Sequence, residues 1–361
     1  MPEDTSKSKP APERSKEKSA FQLIRRYSSL ILWVIGLIFI IIVGAYLNAT
    51  FGPTMVGWMI QAMFIMGTPL VLAALGGMFS ERSGIVNIGL EGMMLMGAWA
   101  AAAGSHYTRN PWVGVVAAII AGGLLGLIHA LVTVKLKGNH IVSGTGIILF
   151  AAGFTTVMMA VIWGSTGSGD QVPTIPIFLI PQIQSVPILG LAFGRLSPIV
   201  WIMFFTVPIC WYILYRTPFG LRLRAAGEDP STLDTTGVNV ETYRIIGVVL
   251  SGILSGLAGS YLSIGFGSAF SKEMTAGRGF IALAALIFGN WNPLGVVIAG
   301  LFFGFLQGLQ IVIQIEVPFL APFTQFIQMI PYISVIVALG IIRRSIPPAA
   351  VGKPYVKEKQ H

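Results

Sequence analysis

The chain has 361 residues, 54% of them hydrophobic and 10% charged, against roughly 25% charged in an ordinary soluble domain. That composition excludes a soluble globular protein and points to an integral membrane protein. Lys and Arg crowd Met1 to Arg26, Arg216 to Arg244 and Arg343 to Lys359, so the net charge of +9 reads as membrane orientation and not as nucleic-acid binding.

Residues 1–28, rich in Lys, Ser, Pro and Glu without apolar periodicity, read as a disordered, basic cytoplasmic tail. The apolar run Leu30 to Leu47 is too long for the core of a cleavable signal and long enough for a first spanning helix. Marking apolar runs and their breaks predicts about ten transmembrane helices, at 29–48, 54–79, 85–104, 112–134, 141–163, 198–215, 243–264, 278–290, 294–315 and 324–342. The fold class is an all-α polytopic membrane protein with a transmembrane domain over 29–344 and a second cytoplasmic tail over 345–361. With the N-terminus inside, the inner segments hold Arg25, Arg26, Arg82, Lys135, Lys137, Arg216, Arg222, Arg224, Arg244, Arg343 and Arg344. The outer ones hold only Arg109, Arg195, Lys272 and Arg278, so both termini are expected in the cytoplasm.

Within this frame the connection Ser165 to Ser197, with Pro173, Pro176, Pro181 and Pro187, is expected to be a packed loop without regular helix. The stretch 278–290, with Gly277 before it and Gly279 at its start, is too short for a full crossing and reads as a half-helix or re-entrant element. Asn110-Pro111-Trp112-Val113-Gly114-Val115-Val116 opens one span from outside, and Asn292-Pro293-Leu294-Gly295-Val296-Val297 opens another from inside. That is the pattern of an inverted repeat with a route between its halves. Among 43 glycines, the pairs Gly122–Gly126, Gly252–Gly256 and Gly300–Gly304 allow helices to approach closely.

Polar residues at membrane depth are the candidates for function. Glu81 to Gly92, ERSGIVNIGLEG, sets Asn87 and Glu91 between apolar spans, where they must face protein or a water-filled route. The amides Asn87, Gln61, Gln307 and Gln310, with Asn139, Ser143 and Gln314, offer donors and acceptors to a neutral polar solute. The competing reading makes such amides interhelical glue worth about 0.6 kcal/mol and Glu91 the cap of a neighbouring helix. Trp58, Phe64, Phe280 and Trp291 can stack on a planar ring of a solute or belong to an interfacial belt.

No phosphate-binding loop or nucleophile elbow is present, and His106, His129, His140 and His361 lack metal-ligand spacing. No catalytic or metal site is therefore predicted. Cys210, the lone cysteine, reads as a core thiol. The charged inner loop Arg216 to Arg244 holds a short helix, capped by Asp229, begun by Pro230 and ended by Gly237, suited to docking another protein.

The motifs GIVNIGLEGMMLMGAW, GLRLRAAGEDP…TGVNV, SGILSGLAGSYL and GRGFIALAALIFGNWNPLGVVIAGLFFG, between Phe51 and Arg344, resemble the permease subunits of ABC importers in the branched-chain amino acid, ribose and nucleoside family. The NIGLEGMMLMGA form resembles the nucleoside and simple-sugar branch. The resemblance implies a type II-like ABC importer permease fold in a prokaryotic cell (inner) membrane. It also implies a cytoplasmic ABC ATPase that binds the ATP and Mg, with no cofactor on this chain, and an extracellular substrate-binding lipoprotein. A second permease subunit, a similar chain or another copy, completes the assembly. On matching positions, Gly220, Ala226, Gly227, Glu228, Pro230 and Gly237 fall on the family's coupling loop, here 216–242. Thr232 and Leu233 stand where the family usually has two Ala, which alters the contacts made there. The implied function is import of nucleosides or simple sugars. The alternatives are an ABC permease for branched-chain amino acids and an ion-coupled secondary transporter, which would need an acidic or His relay.

Overall fold

A computed structural model describes residues 34, 36–46, 48–50, 52–316, 323–341 and 345–356. The expected tail 1–28 lies outside them. Helices begin where the sequence supplies a start signal. After α1 (Gly36–Thr50), Pro occupies the first turn of α2 (Pro53–Arg82) and α4 (Pro111–Ala130), where a missing N–H leaves no bond unmade. Between them lies α3 (Leu90–Thr108). Asn110 Oδ1 accepts from Trp112 N, and Asn139 Oδ1 accepts from Ile141 N and Val142 N to start α5 (His140–Trp163).

Among the described residues, six helices are long and apolar enough to cross a membrane: Pro53–Arg82, Pro111–Lys135, His140–Trp163, Pro198–Arg216, Val240–Phe266 and Pro293–Ile315. The expected span at 85–104 is α3, 19 residues rich in Ala and Gly and almost wholly buried. The stretch at 278–290 is the 11-residue helix α12 (Arg278–Phe288), about 16 Å long at the α-helical rise and thus short, as its length in the sequence implies. The span at 324–342 divides into α14 (Thr324–Gln328) and α15 (Ile330–Ile341), and Pro331 at the break has no N–H to carry one helix into the next.

The connection 165–197 departs from expectation. Pro181 and Pro187 do not forbid helix but start two short ones, α6 (Pro181–Gln184) and α7 (Pro187–Phe193). A two-stranded antiparallel ribbon, β1 (Phe178–Leu179) with β2 (Arg195–Leu196), flanks them. The charged loop also holds more helix than expected. It folds as α9 (Pro218–Glu228) followed by α10 (Pro230–Thr235), after α8 (Pro198–Arg216) and before α11 (Val240–Ser260). A π-helical turn extends α4 over Leu131–Lys135 and α11 over Tyr261–Phe266.

Two helices organise the interior. The α2 span is 83% buried and packs on α13 (Pro293–Glu316), α11 and α12, whereas the α5 span at the periphery is 22% buried. α11 packs on α4 and α3 through bare backbone: a Cβ at Gly252 would strike the Gly122 carbonyl, and one at Gly256 the Ala118 carbonyl. A Cβ at Gly304 would likewise lie 2.5 Å from Gly67 Cα of α2. All three predicted glycine pairs thus form close helix crossings. The outer face of α4 shows Val116, Ile120, Leu124, Leu127 and Leu131 at helical spacing, an apolar stripe fit for lipid or another subunit.

Gly256→Val should lower stability by more than the ~1–3 kcal/mol of ordinary overpacking, because the α4 backbone at Ala118 and Gly122 opposes it. Gly153→Ala, with nothing within 4 Å of the new methyl, should change stability by no more than about 0.5–1 kcal/mol. Denaturation midpoints of the two variants in detergent measure the contrast.

Candidate functional site

After Arg82 the backbone leaves helix for residues 83–89 and enters the bundle beside α4, α5 and α11. Backbone at that depth needs partners from the protein. Ser80 Oγ donates to Ile85 O at 2.8 Å, Val86 N donates to His140 Nδ1 at 3.3 Å, and His129 Nε2 donates to Val86 O at 3.1 Å. The other ring nitrogen of His129, Nδ1, is hydrogen-bonded to the Ser143 hydroxyl at 2.9 Å. Asn87, fully buried, donates from Nδ2 to Ser251 Oγ at 2.9 Å and to Met93 Sδ at 3.6 Å, and its Oδ1 has no partner among the described residues.

Glu91 lies on the first turn of α3 and reaches α12. Its Oε1 accepts from Gly277 N at 2.8 Å and its Oε2 from Gly279 N at 2.5 Å. A carboxylate there satisfies backbone donors that the first turn of α12 cannot pair, and it meets the positive end of that helix. Gly277, at φ +77°, turns the chain into α12, and a Cβ at Gly279 would sit 2.5 Å from Glu91 Cα. Both oxygens of Glu91 are therefore occupied by the neighbouring helix.

The other candidates divide. Gln61 Nε2 donates to Arg195 O at 2.9 Å, holding α2 to the β-ribbon. Gln307 is buried with Oε1 unpartnered among the described residues, and Gln310 and Gln314 continue its face of α13, Gln314 with a buried, unpartnered Nε2. Asn139 is a helix cap. Phe64 packs against Phe193 and Phe204, Trp58 and Phe280 are exposed, and Trp291 Nε1 donates to the buried Glu81 Oε2 at 2.6 Å. His129, His140 and Ser251 were missed as functional residues. Their signal was present as polar groups inside apolar spans, but their partners lie far along the chain.

At the Arg82 end of the bundle, α9 and α10 form a platform. Thr217 Oγ1 accepts from Gly220 N at 3.1 Å, and Gly220 packs its backbone on Ile213 and Leu214. Asp229 caps α10, with Oδ1 accepting from Thr232 N at 3.1 Å and Ser231 Oγ at 2.6 Å. Those bonds from Ser231 and then Thr232 hold its carboxyl down to about 2, so the cap is complete above the usual carboxylate range and lost only in strong acid. Gly237, at φ +79°, lies just past α10. Ala226 and Gly227 face inward, Gly227 against the backbone of Arg82 and Gly84. Glu228 is half exposed and pairs with Arg82 at 3.6 Å. The outward residues are Leu221, Arg222, Asp229, Ser231, Thr232 and Thr235.

Glu91→Gln turns one acceptor into a donor facing a backbone N–H. It should lower stability by about 1–3 kcal/mol, with melting temperature and uptake falling together. Uptake lost at an unchanged melting temperature would assign Glu91 a role beyond the cap.

The family described as branched-chain amino acid transport system / permease component matches residues 59–342. The chain is 40% identical over 313 residues to the guanosine ABC transporter permease protein NupQ of Bacillus subtilis, a match covering 83% of this chain and 97% of that protein. It is 38% identical over 312 residues to the nucleoside ABC transporter permease protein NupC of Lactococcus lactis subsp. cremoris, covering 82% and 96%. Over 248 residues it is 36% identical to the putative glucose ABC transporter permease protein TsgC13 of Haloferax volcanii, covering 68% and 74%. No solved structure was found to match. The matched span runs from α2 through α15 and takes in both the 83–89 connection and the α9–α10 platform: this multi-pass membrane protein belongs to the family of branched-chain amino acid transport system permease components.

Proposed function

We propose that the chain is the permease subunit of an ATP-driven importer of nucleosides. The observation that carries this reading is the match to NupQ and NupC over nearly their whole lengths. The buried chemistry supports a neutral solute. Glu81 and Glu91 are engaged by Trp291 and α12, while Asn87 Oδ1, Ser255 Oγ and Gln307 Oε1 are buried acceptors without partners among the described residues. Such groups suit sugar hydroxyls and base edges. A zwitterionic amino acid would call for charged partners, and an ion-coupled cycle for a free acidic relay. Simple sugars are the second reading, favoured by the resemblance to TsgC13. Asn87, Gln307 and Gln310 are proposed to line the route, with Gln61 and Glu91 holding its walls.

Ten passes are proposed: α1, α2, α3, α4, α5, α8, α11, the broken segment 267–288, α13, and α14 with α15. Pseudo-twofold pairing supports an inverted repeat that exchanges α2 with α11, α3 with α12 and α4 with α13. α2 packs on α13 and α12 as α11 packs on α4 and α3, and Asn110 and Asn292 each cap a following Pro-initiated helix through a 3.0 Å bond. Arg82, Lys135, Arg216, Arg222, Arg224 and Arg244 gather at one end, which supports a cytoplasmic platform. There α9 and α10 would bear on an ABC ATPase, the subunit that would bind ATP and Mg. A second permease and an extracellular binding lipoprotein complete the proposed assembly.

Uptake of radiolabelled nucleosides, pentoses and branched-chain amino acids, in cells carrying the chain with its partner subunits, tests the reading. Nucleosides should accumulate, and only with an active ATPase; uptake without one would overturn the proposal. Glu228→Arg breaks an exposed pair with Arg82 worth at most about 1 kcal/mol and an exposed bond from Ala349 N, so it should leave the subunit folded but uncouple hydrolysis from uptake. Gly227 variants would instead disrupt packing on α2. Cysteine at Thr232, in a Cys210→Ser background, should label only after permeabilisation, and cysteine at Thr108 should label from outside.

A further inference from the structure

Residues 345–356 fold back across the platform and are held there mainly through backbone. Ile346 N donates to Asn290 Oδ1 at 2.9 Å, Ala349 N to Glu228 Oε2 at 3.2 Å, Ala350 N to Gly227 O at 2.8 Å and Gly352 N to Gly84 O at 3.0 Å. Tyr355 packs against the small cluster of Ala226, Leu233 and Val240. Arg244, 2% exposed at the start of α11, completes the joint: Nη1 donates to Lys353 O at 2.9 Å and Nη2 to Ala226 O at 3.2 Å.

We propose that residues 345–356 are a strap that makes α9, α10 and the 83–89 connection move as one body, with Arg244 as its positioning residue. The proposal rests on the coupling reading above. Ala226 lies in the last turn of α9, where helix carbonyls carry partial negative charge that favours a cation. A buried guanidinium deprived of either carbonyl is left under-paired, which penalises separation of strap from platform. Without the strap, the links from α9 to the 83–89 connection among the described residues are the backbone packing of Gly227 and Ala226 on Gly84, the side chain of Arg244 and, at the end of α2, the exposed Arg82–Glu228 pair, a weak link. With it, one run of chain bonds Gly227 of α9 and Gly84 of the connection that carries Asn87. It also bonds Asn290, in the turn between α12 and α13. A push on the platform is then delivered to both broken helices that frame the proposed route.

The test uses the assembled complex with its ATPase and binding protein. Deletion of 345–361 and Arg244→Gln should each lower the ratio of solute-stimulated to unstimulated ATP hydrolysis by about tenfold, within the usual span of coupling energies. Arg244→Lys, which keeps the charge but not the two-carbonyl grip, should fall between. Normal coupling in both the deletion and Arg244→Gln, with Glu228→Arg uncoupled, would overturn the strap and leave the docking reading standing. Normal coupling in Glu228→Arg as well would overturn the docking reading itself. Hydrogen exchange on the unmutated complex decides the matter should the deletion fail to insert. The amides of Ala350 and Gly352 should stay protected, along with Asp229 of the α9–α10 turn, in both nucleotide-free and ATP-bound states. Release of the strap amides in either state would show that it is shed during the cycle and would overturn the proposal.

Discussion

Backbone that leaves helix inside a bilayer must find hydrogen-bond partners within the protein, and this constraint governs the arrangement of the chain. It breaks helix in two places, at 83–89 inside the bundle before α3 and at 267–277 before α12, where Phe270 and Thr275 are buried but Ser268, Lys272, Glu273 and Ala276 are exposed. The first break is held by Ser80, His129 and His140, which come from three different helices. The second ends on Glu91, which takes the Gly277 and Gly279 amides. Because Glu91 is itself on the first turn of α3, the helix that follows the first break supplies the cap for the helix that follows the second. The two irregular segments are structurally interdependent.

That dependence explains why so many polar groups inside apolar spans are not available to a solute. A buried carboxylate or imidazole is tolerated when its partners are fixed, and the partners of Glu91, Glu81 and His129 are fixed by backbone or by a Trp indole. Beside the Nε atoms of Arg244 and Arg278, what remains unsatisfied among the described residues is a set of neutral groups, including Asn87 Oδ1, Ser255 Oγ and Gln307 Oε1. In the proposed cycle these are the groups whose hydrogen bonds a passing solute can complete without disturbing the frame.

Much of the frame was legible because its signals are local. Asn110-Pro111, Asn292-Pro293 and Asp229-Pro230 each start a helix where the sequence places one, since the cap and the proline act within one turn. Glycine pairs were legible as a class, although not which helices they join. The helix α9 escaped notice because Arg222, Arg224 and the glycines around them mask its start, Thr217-Pro218, which is as clear a cap as the others. The short helices of 165–197 were missed because each Pro was read as a breaker, although Pro181 and Pro187 stand at first-turn positions. The site was less legible than the fold. Glu91 meets its partner 186 residues away in the chain, and no spacing rule reaches that far. His129 and His140 were weighed only for metal spacing, whereas their work is to hold a carbonyl and an amide.

The two kinds of joint divide rigid from movable parts. Where α11 crosses α4, and α2 crosses α13, glycine backbones lie against each other with no side chain between, and close-packed interfaces of this sort resist sliding because any shift forces overlap or opens a void. The breaks at 83–89 and 267–277 are held instead by a few directed hydrogen bonds, which tolerate rotation about their ends far better than interlocked helices do. Motion between the proposed halves would therefore concentrate at the two breaks, which precede α3 and α12, since α3 itself lies backbone to backbone on α11 at Gly97 and Gly256. Glu91 sits at the contact of α3 with α12, so a displacement of either start is felt by the other through one side chain. Such a geometry suits a transporter whose rigid pairs must rock while the segments between them remain hydrogen-bonded throughout.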